Sequence, residues 1–174
     1  PTLRRQRQMC IRDRSKDKVD PDEMMFHMNN DLFQTKTAGM FVTCILGEYD
    51  LVSDEIRWVN AGHQPALIRS TDGKYSEFIS SSTPLGVIKH KDKSVYKLEK
   101  AKLASSRFYV FTDGLSESLD SKGEEIGIDG SIKIIEDNFN SDLKKQLKDV
   151  TSEVVKVAGG KNLSDDLTLV GLGA

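Results

Sequence analysis

Two short acidic stretches carry the residue types that could do chemistry. Tyr109-Val110-Phe111-Thr112-Asp113-Gly114 ends an apolar run on an aspartate and a glycine. Ser164-Asp165-Asp166-Leu167-Thr168-Leu169-Val170 opens an apolar run on paired aspartates. One strand then delivers a carboxylate at its end, and another begins with carboxylates. If those strands are neighbours, the acids can converge on a hard cation, which takes oxygen ligands from carboxylates and water. Asp113 and Asp165 are the candidate ligands. The 52 residues between them say only that they come from different elements.

Each candidate has a plainer reading. The tripeptide Thr112-Asp113-Gly114 recurs as Thr71-Asp72-Gly73, between polar neighbours, where Asp-Gly reads as a hairpin turn. Asp113 differs because Phe108-Tyr109-Val110-Phe111 precedes it, and a carboxylate at the end of a buried strand is costly without a cation or hydrogen bonds. Asp165-Asp166 could be an acidic turn. Adjacent aspartates repel, though, and a metal would relieve that. A strand would put them on opposite faces, one toward the metal and one toward nearby backbone. In Asn60-Ala61-Gly62-His63-Gln64-Pro65, His63 is either a ligand or acid, or a hydrogen-bonded structural residue. Gly62 suits positive φ or close backbone approach. His27 and His90 have no partners in sequence and take no role. Ser116 and Ser118 lack a nucleophile-elbow context, and no glycine-rich phosphate loop is present.

The elements that must position these residues follow from composition and pattern. A chain of 174 residues, 37% hydrophobic and 30% charged, suits one globular domain with a substantial core. No apolar run approaches the roughly 20 residues that span a bilayer. Cys10 and Cys44 have neither metal-ligand spacing nor a disulfide framework, Cys44 reads as a buried thiol, and the cytoplasm is the expected compartment. The net charge of -2 hides five arginines against one acid in residues 1–14, a balance of +4 that leaves -6 for the remainder. An Arg-rich arm can bind nucleic acid or act as a targeting peptide. This one resembles translated adaptor sequence instead. Residues 1–14 are therefore set aside as a non-native tail, no nucleic-acid partner is expected, and the domain is placed at 15–174.

Asp20-Pro21-Asp22-Glu23 suits a helical first turn, followed by Met24, Met25, Met28, Leu32 and Phe33 at helical spacing. Strands are expected over Met40–Leu46, around Ile56–Val59, over Ala66–Ile68 and from Tyr75 to Ile79, with turns at Ser53-Asp54 and Thr71-Asp72-Gly73. Val95–Leu98 reads as a further strand, and Phe108–Phe111 as one buried on both faces. Helices follow over Ser131–Phe139 and from a cap at Asn140-Ser141 to a stop at Gly159-Gly160, before a closing strand over Leu167–Leu172. Strands first and helices later, without βαβ alternation, indicate an α+β fold.

In order, six pieces resemble the SpoIIE-type branch of the metal-dependent (PPM, type 2C) protein serine/threonine phosphatases. They are Met40-Phe41-Val42-Thr43, Trp58-Val59-Asn60-Ala61-Gly62-His63-Gln64-Pro65, Pro84-Leu85-Gly86-Val87, Phe111-Thr112-Asp113-Gly114-Leu115-Ser116-Glu117, Gly123-Glu124-Glu125-Ile126-Gly127 and Asp165-Asp166-Leu167-Thr168-Leu169-Val170. The resemblance implies an α/β/β/α sandwich with two Mn²⁺ or Mg²⁺ ions between its sheets, which bind phosphate and activate a water for in-line attack. It makes Asp113 and Asp165 metal ligands, with Gly114 and Asp166 in support and His63 architectural. The implied substrate is a phosphoprotein, typically an anti-sigma-factor antagonist, and a sensor or receiver domain is expected upstream.

One departure bears on activity. The family's other metal aspartates sit in a Gly-Asp-Tyr-Tyr-Asp-like strand and an Asp-Val-Ser-Gly-His-Gly-like turn, and neither motif occurs here. The expectation is a domain incomplete on its N-terminal side: the parent protein a phosphatase, this chain alone inactive. The alternative is a non-catalytic, phosphatase-like binding module. A response-regulator receiver is rejected, because its acidic pair precedes its phosphoacceptor aspartate, the reverse of the order here.

Overall fold

The computed structural model describes residues 20–35, 39–159, 163 and 165–173. The Arg-rich stretch 1–14 and Cys10 lie outside them. The elements in chain order are α1 (Pro21–Thr35), β1 (Cys44–Asp50), β2 (Glu55–Ala61), β3 (Ala66–Arg69), β4 (Tyr75–Phe78), a 3₁₀ turn (Lys93–Val95), β5 (Glu99–Lys102), β6 (Arg107–Phe111), α2 (Asp113–Ser116), α3 (Gly127–Asp137), α4 (Leu143–Val157) and β7 (Leu169–Gly173). They form two compact units, one of residues up to 63 with 80–102, the other of 64–79 with residues from 103 onward.

In the first unit, Pro21 opens α1 where its missing N–H costs nothing, and Asp22 and Glu23 fill the acidic first turn. Met25 is fully buried and packs with Val59, Ala61, Leu85 and Tyr96. The sheet runs β1-β2-β5, antiparallel throughout. Asp54, at φ 55°, makes the turn between β1 and β2. Two expectations are corrected here. The strand begins at Cys44 rather than Met40, with Val42 only bridged to Leu85. Val95–Leu98 is not a strand: Asp92 accepts from Ser94 N at 2.7 Å and starts a 3₁₀ turn, and the strand is the next segment, Glu99-Lys100-Ala101-Lys102. This is an edge strand with three charged residues, the composition that protects an edge and hides it from a search for apolar runs.

The second unit is built on a four-stranded antiparallel sheet, β4-β3-β6-β7. Leu67, Tyr109 and Phe111 face Ile134 and Ile135 of α3 and Val150 and Val154 of α4 to make its core. Phe108, on the opposite face of β6, is 3% exposed, so the continuous apolar run does mark a strand buried on both sides. Arg107, also 3% exposed, donates through Nη1 to Gln146 Oε1 (2.6 Å) and through Nη2 to Ser141 O (2.8 Å). Gln146 in turn accepts from Tyr109 Oη at 2.9 Å and donates to Ile135 O at 3.0 Å. That network ties the α3–α4 connection to the strand leading into Asp113. α3 starts at Gly127, four residues before the expected Ser131. The cap of α4 is Asp142, accepting from Lys145 N at 3.1 Å, while Asn140 Oδ1 accepts from Asp142 N one step earlier. Gly159, at φ 73°, follows the end of α4 as expected.

Candidate metal centre

β6 and β7 pair as far as Phe111 and Leu169, and one further backbone bond runs from Thr112 N to Thr168 O at 3.0 Å. Beyond that point both chains turn off the sheet together. Thr112 is extended and heads the short helix α2, with Asp113 its first residue. The Thr112 hydroxyl donates to Asp166 O at 2.9 Å and accepts from Thr168 N at 2.9 Å. Gly114 is buried against the same segment: a Cβ there would lie 2.6 Å from Asp166 O and 2.8 Å from its carbonyl carbon. Only glycine allows that approach, because the obstacle is backbone and cannot rotate away. The Thr-Asp-Gly turn and the Asp165-Asp166-Leu167 segment are thus packed directly on each other at one end of the sheet.

Asp113, Asp165 and Asp166 are all exposed. This corrects the argument from burial: Asp113 is not a carboxylate forced into the end of a buried strand, because the chain has already left the sheet at Thr112. Nor do Asp165 and Asp166 alternate across a strand, as was expected. Asp165 and Asp166 lie in a bend, and β7 begins only at Leu169. Asp165 Oδ1 accepts from Asp166 N at 2.7 Å, which orders the bend. Exposed carboxylates suit a hard, partly hydrated cation. Among the described residues no cluster of three or more His, Cys, Asp or Glu could hold a metal ion. The donor set these residues offer is carboxylate only.

The second Thr-Asp-Gly copy is a turn. Asp72 accepts from the Ser70 hydroxyl and from Lys74 N, and pairs with Lys74 Nζ at 2.7 Å. Sequence reasoning missed Thr112. Its type gave no signal, since Thr71 stands at the same place in the turn copy.

The Asn-Ala-Gly-His segment forms a hydrogen-bonded turn. Asn60 Oδ1 accepts from His63 N (2.9 Å), Gly62 N donates to Ser80 Oγ (2.6 Å), and Ser80 Oγ donates to Asn60 O (3.1 Å). Gly62 has φ 68°, and a Cβ there would meet Pro84 Cγ at 2.4 Å, so both reasons for a glycine apply. Cys44 is partly buried, and desolvation pushes its thiol up to about 11, which suits an inert core thiol. Ser118 Oγ donates to Gly114 O at 2.6 Å, a bond that braces the turn from within the chain. A groove of about 560 Å³ between Asp120, Lys133, Asp137 and Glu153 contains none of the motif aspartates. No described helix is long and apolar enough to cross a membrane.

The chain is 24% identical over 155 residues to phosphoserine phosphatase RsbU of Bacillus subtilis, covering 87% of this chain and 44% of that protein. It thus spans less than half the length of the curated relatives it matches. The PP2C phosphatase domain of SpoIIE from Bacillus subtilis, solved with a fragment of its regulatory domain, superimposes with a TM-score of 0.80 at 19% identity, over 98% of this chain and 49% of that one. RsbX in complex with magnesium gives a TM-score of 0.62 at 15% identity, over 98% of this chain and 74% of that one. The fold is therefore the α+β, PP2C-type fold that the motifs led us to expect. The family model described as Stage II sporulation protein E (SpoIIE) matches residues 6–173, and the chain belongs to that family.

Proposed function

We propose that this chain supplies the C-terminal ligands of a divalent-metal site in a protein serine/threonine phosphatase, with Asp113 and Asp165 as ligands and Gly114 and Asp166 in support. The observation that carries the reading is the close packing of Gly114 on Asp166, which holds two carboxylate-bearing turns against each other at one sheet end. Exposed carboxylates with a backbone fixed beneath them suit oxygen-ligated Mn²⁺ or Mg²⁺ as part of a two-metal site that further ligands complete, and bound metal would supply phosphate binding and water activation. In this chain, Asp113 and Asp165 hold charge at the rim, Gly114 sets the approach of the two turns, and the Asp166 backbone receives the Thr112 hydroxyl.

The substrate is a phosphoserine or phosphothreonine protein, an anti-sigma-factor antagonist, in a cytoplasmic partner-switching pathway. RsbU, named a phosphoserine phosphatase, supports that reading. A sensor or receiver domain acts upstream in the parent protein. The two aspartate-bearing turns are too few donors for a dinuclear centre, so the remaining ligands come from the parent's upstream sequence and this chain alone turns over negligibly. If those ligands are substituted in the parent, the domain is a binding module instead.

Turnover of a phosphoserine peptide against manganese concentration tests the proposal in the parent protein. Asp113→Asn and Asp165→Asn should each lower activity by orders of magnitude with the fold retained, since removing a charged ligand weakens metal binding. Asp72→Asn should leave activity within about twofold, as expected for an exposed turn. Equal damage from Asp72→Asn and Asp113→Asn would refute the assignment. Rapid turnover by the isolated chain would refute the need for upstream ligands.

A further inference from the structure

We propose that Thr112 is the positioning residue of this metal centre, acting through its hydroxyl. The inference rests on the metal-site reading above and extends it to a residue that does not itself bind metal. Asp113 and Asp165 come from elements 52 residues apart, so their relative position needs a link between the two turns beyond the end of the sheet. Backbone pairing stops at the Thr112 N–Thr168 O bond. Past it, the Thr112 hydroxyl uses both of its capacities on the facing segment, donating to Asp166 O and accepting from Thr168 N, each at 2.9 Å. It therefore sits one residue before one ligand while gripping the backbone on the C-terminal side of the other. Two like-charged turns brought together repel, and this clasp opposes their separation.

The two Thr-Asp-Gly copies show that the tripeptide alone does not produce this arrangement. Around Asp72 the bonds are local, to Ser70 and Lys74 within the same hairpin. At Thr112 they span 54 and 56 residues. A hydroxyl is needed because the site asks for one donor and one acceptor on a single atom. Serine can supply both. Valine matches threonine in shape and supplies neither.

The test uses the parent protein and Mn²⁺ alone, with binding read from loss of the free Mn²⁺ electron-paramagnetic-resonance signal and fold from circular dichroism in EDTA. Thr112→Val should weaken Mn²⁺ binding by about tenfold or more with the spectrum retained, and Thr112→Ser should recover most of the affinity. In the wild-type parent protein, Mn²⁺ should slow hydrogen exchange at the Thr168 amide, a measurement that stands even if Thr112→Val fails to fold. Wild-type affinity in Thr112→Val, or an unchanged Thr168 exchange rate on Mn²⁺ binding, overturns the positioning role. If Asp113→Asn still abolishes binding in that case, the metal-site reading survives by itself. Wild-type affinity in Asp113→Asn, or no binding by the wild-type parent protein, overturns the metal-site reading and the clasp with it.

Discussion

At the scale of single residues, the proposed metal site depends on what Gly114 lacks as much as on what Asp113 carries. A methyl group at position 114 would sit 2.6 Å from Asp166 O, far inside van der Waals contact, and neither chain can yield by rotating a side chain. Gly114→Ala should therefore push the two turns apart and destabilise the fold by about 1–3 kcal/mol, the usual range for overpacking. Urea unfolding checks the stability, and Mn²⁺ titration should show weaker binding in the same variant. An alanine variant as stable as wild type would mean that the approach of the two turns is looser than the geometry indicates. The contrast with Gly62 is instructive. That glycine also stands under a steric ceiling, Pro84, but the surrounding bonds from Asn60 and Ser80 serve the turn itself.

At the scale of elements, the second unit is secured by two arginines on neighbouring strands. Arg69 on β3 meets Glu136 on α3 through two bonds, Nε to Oε2 at 2.6 Å and Nη2 to Oε1 at 2.8 Å, and the Tyr75 hydroxyl donates to the same carboxylate at 3.0 Å. Hydrogen bonds from Arg69, helped by Tyr75, hold the Glu136 carboxyl below its ordinary value against a smaller opposing effect of burial. Its contribution to stability is thus present above the unfolded-state value and is lost as pH falls through the depressed folded value. Glu136 is 39% exposed, so solvent screening limits the pair to about 1 kcal/mol. Glu136→Gln should lower the urea midpoint at pH 7, and the gap from wild type should shrink on acidification to about pH 3, below the ordinary carboxylate range. A gap that widened in acid would contradict the assigned direction.

At the scale of the whole molecule, charge is distributed unevenly along the chain. Residues 1–14 contribute +4 against a total of -2, leaving -6 on the remainder. If that stretch is a non-native tail, deleting it should change the unfolding free energy by no more than about 0.5 kcal/mol, as for surface changes away from the core. It should also leave the parent protein's Mn²⁺ affinity within about twofold, because the aspartates proposed as ligands are unaffected. The family match begins at residue 6 and so includes part of this stretch. A clear loss of stability on deletion would assign those residues to the domain.

The sequence by itself determined the fold class, most of the elements, and the two acidic segments worth pairing. Those features are local. Apolar runs, proline and aspartate at a helix start, and Asp-Gly turns act over a few residues and leave their mark in composition. The charged edge strand Glu99–Lys102 escaped because its place comes from pairing with β2, not from its own side chains. The cap at Asp142 escaped for a related reason, since Asn140, Ser141 and Asp142 are all competent caps and only the helix entry geometry chooses among them. Tertiary structure alone decided that Asp113 is solvated and that Asp165-Asp166 form a bend. It also decided that one of two identical tripeptides has its threonine hydroxyl bonded across more than fifty residues of chain. Contacts of that span are set by how the strands pair, and strand pairing is a property of the folded sheet that no short stretch of residues contains.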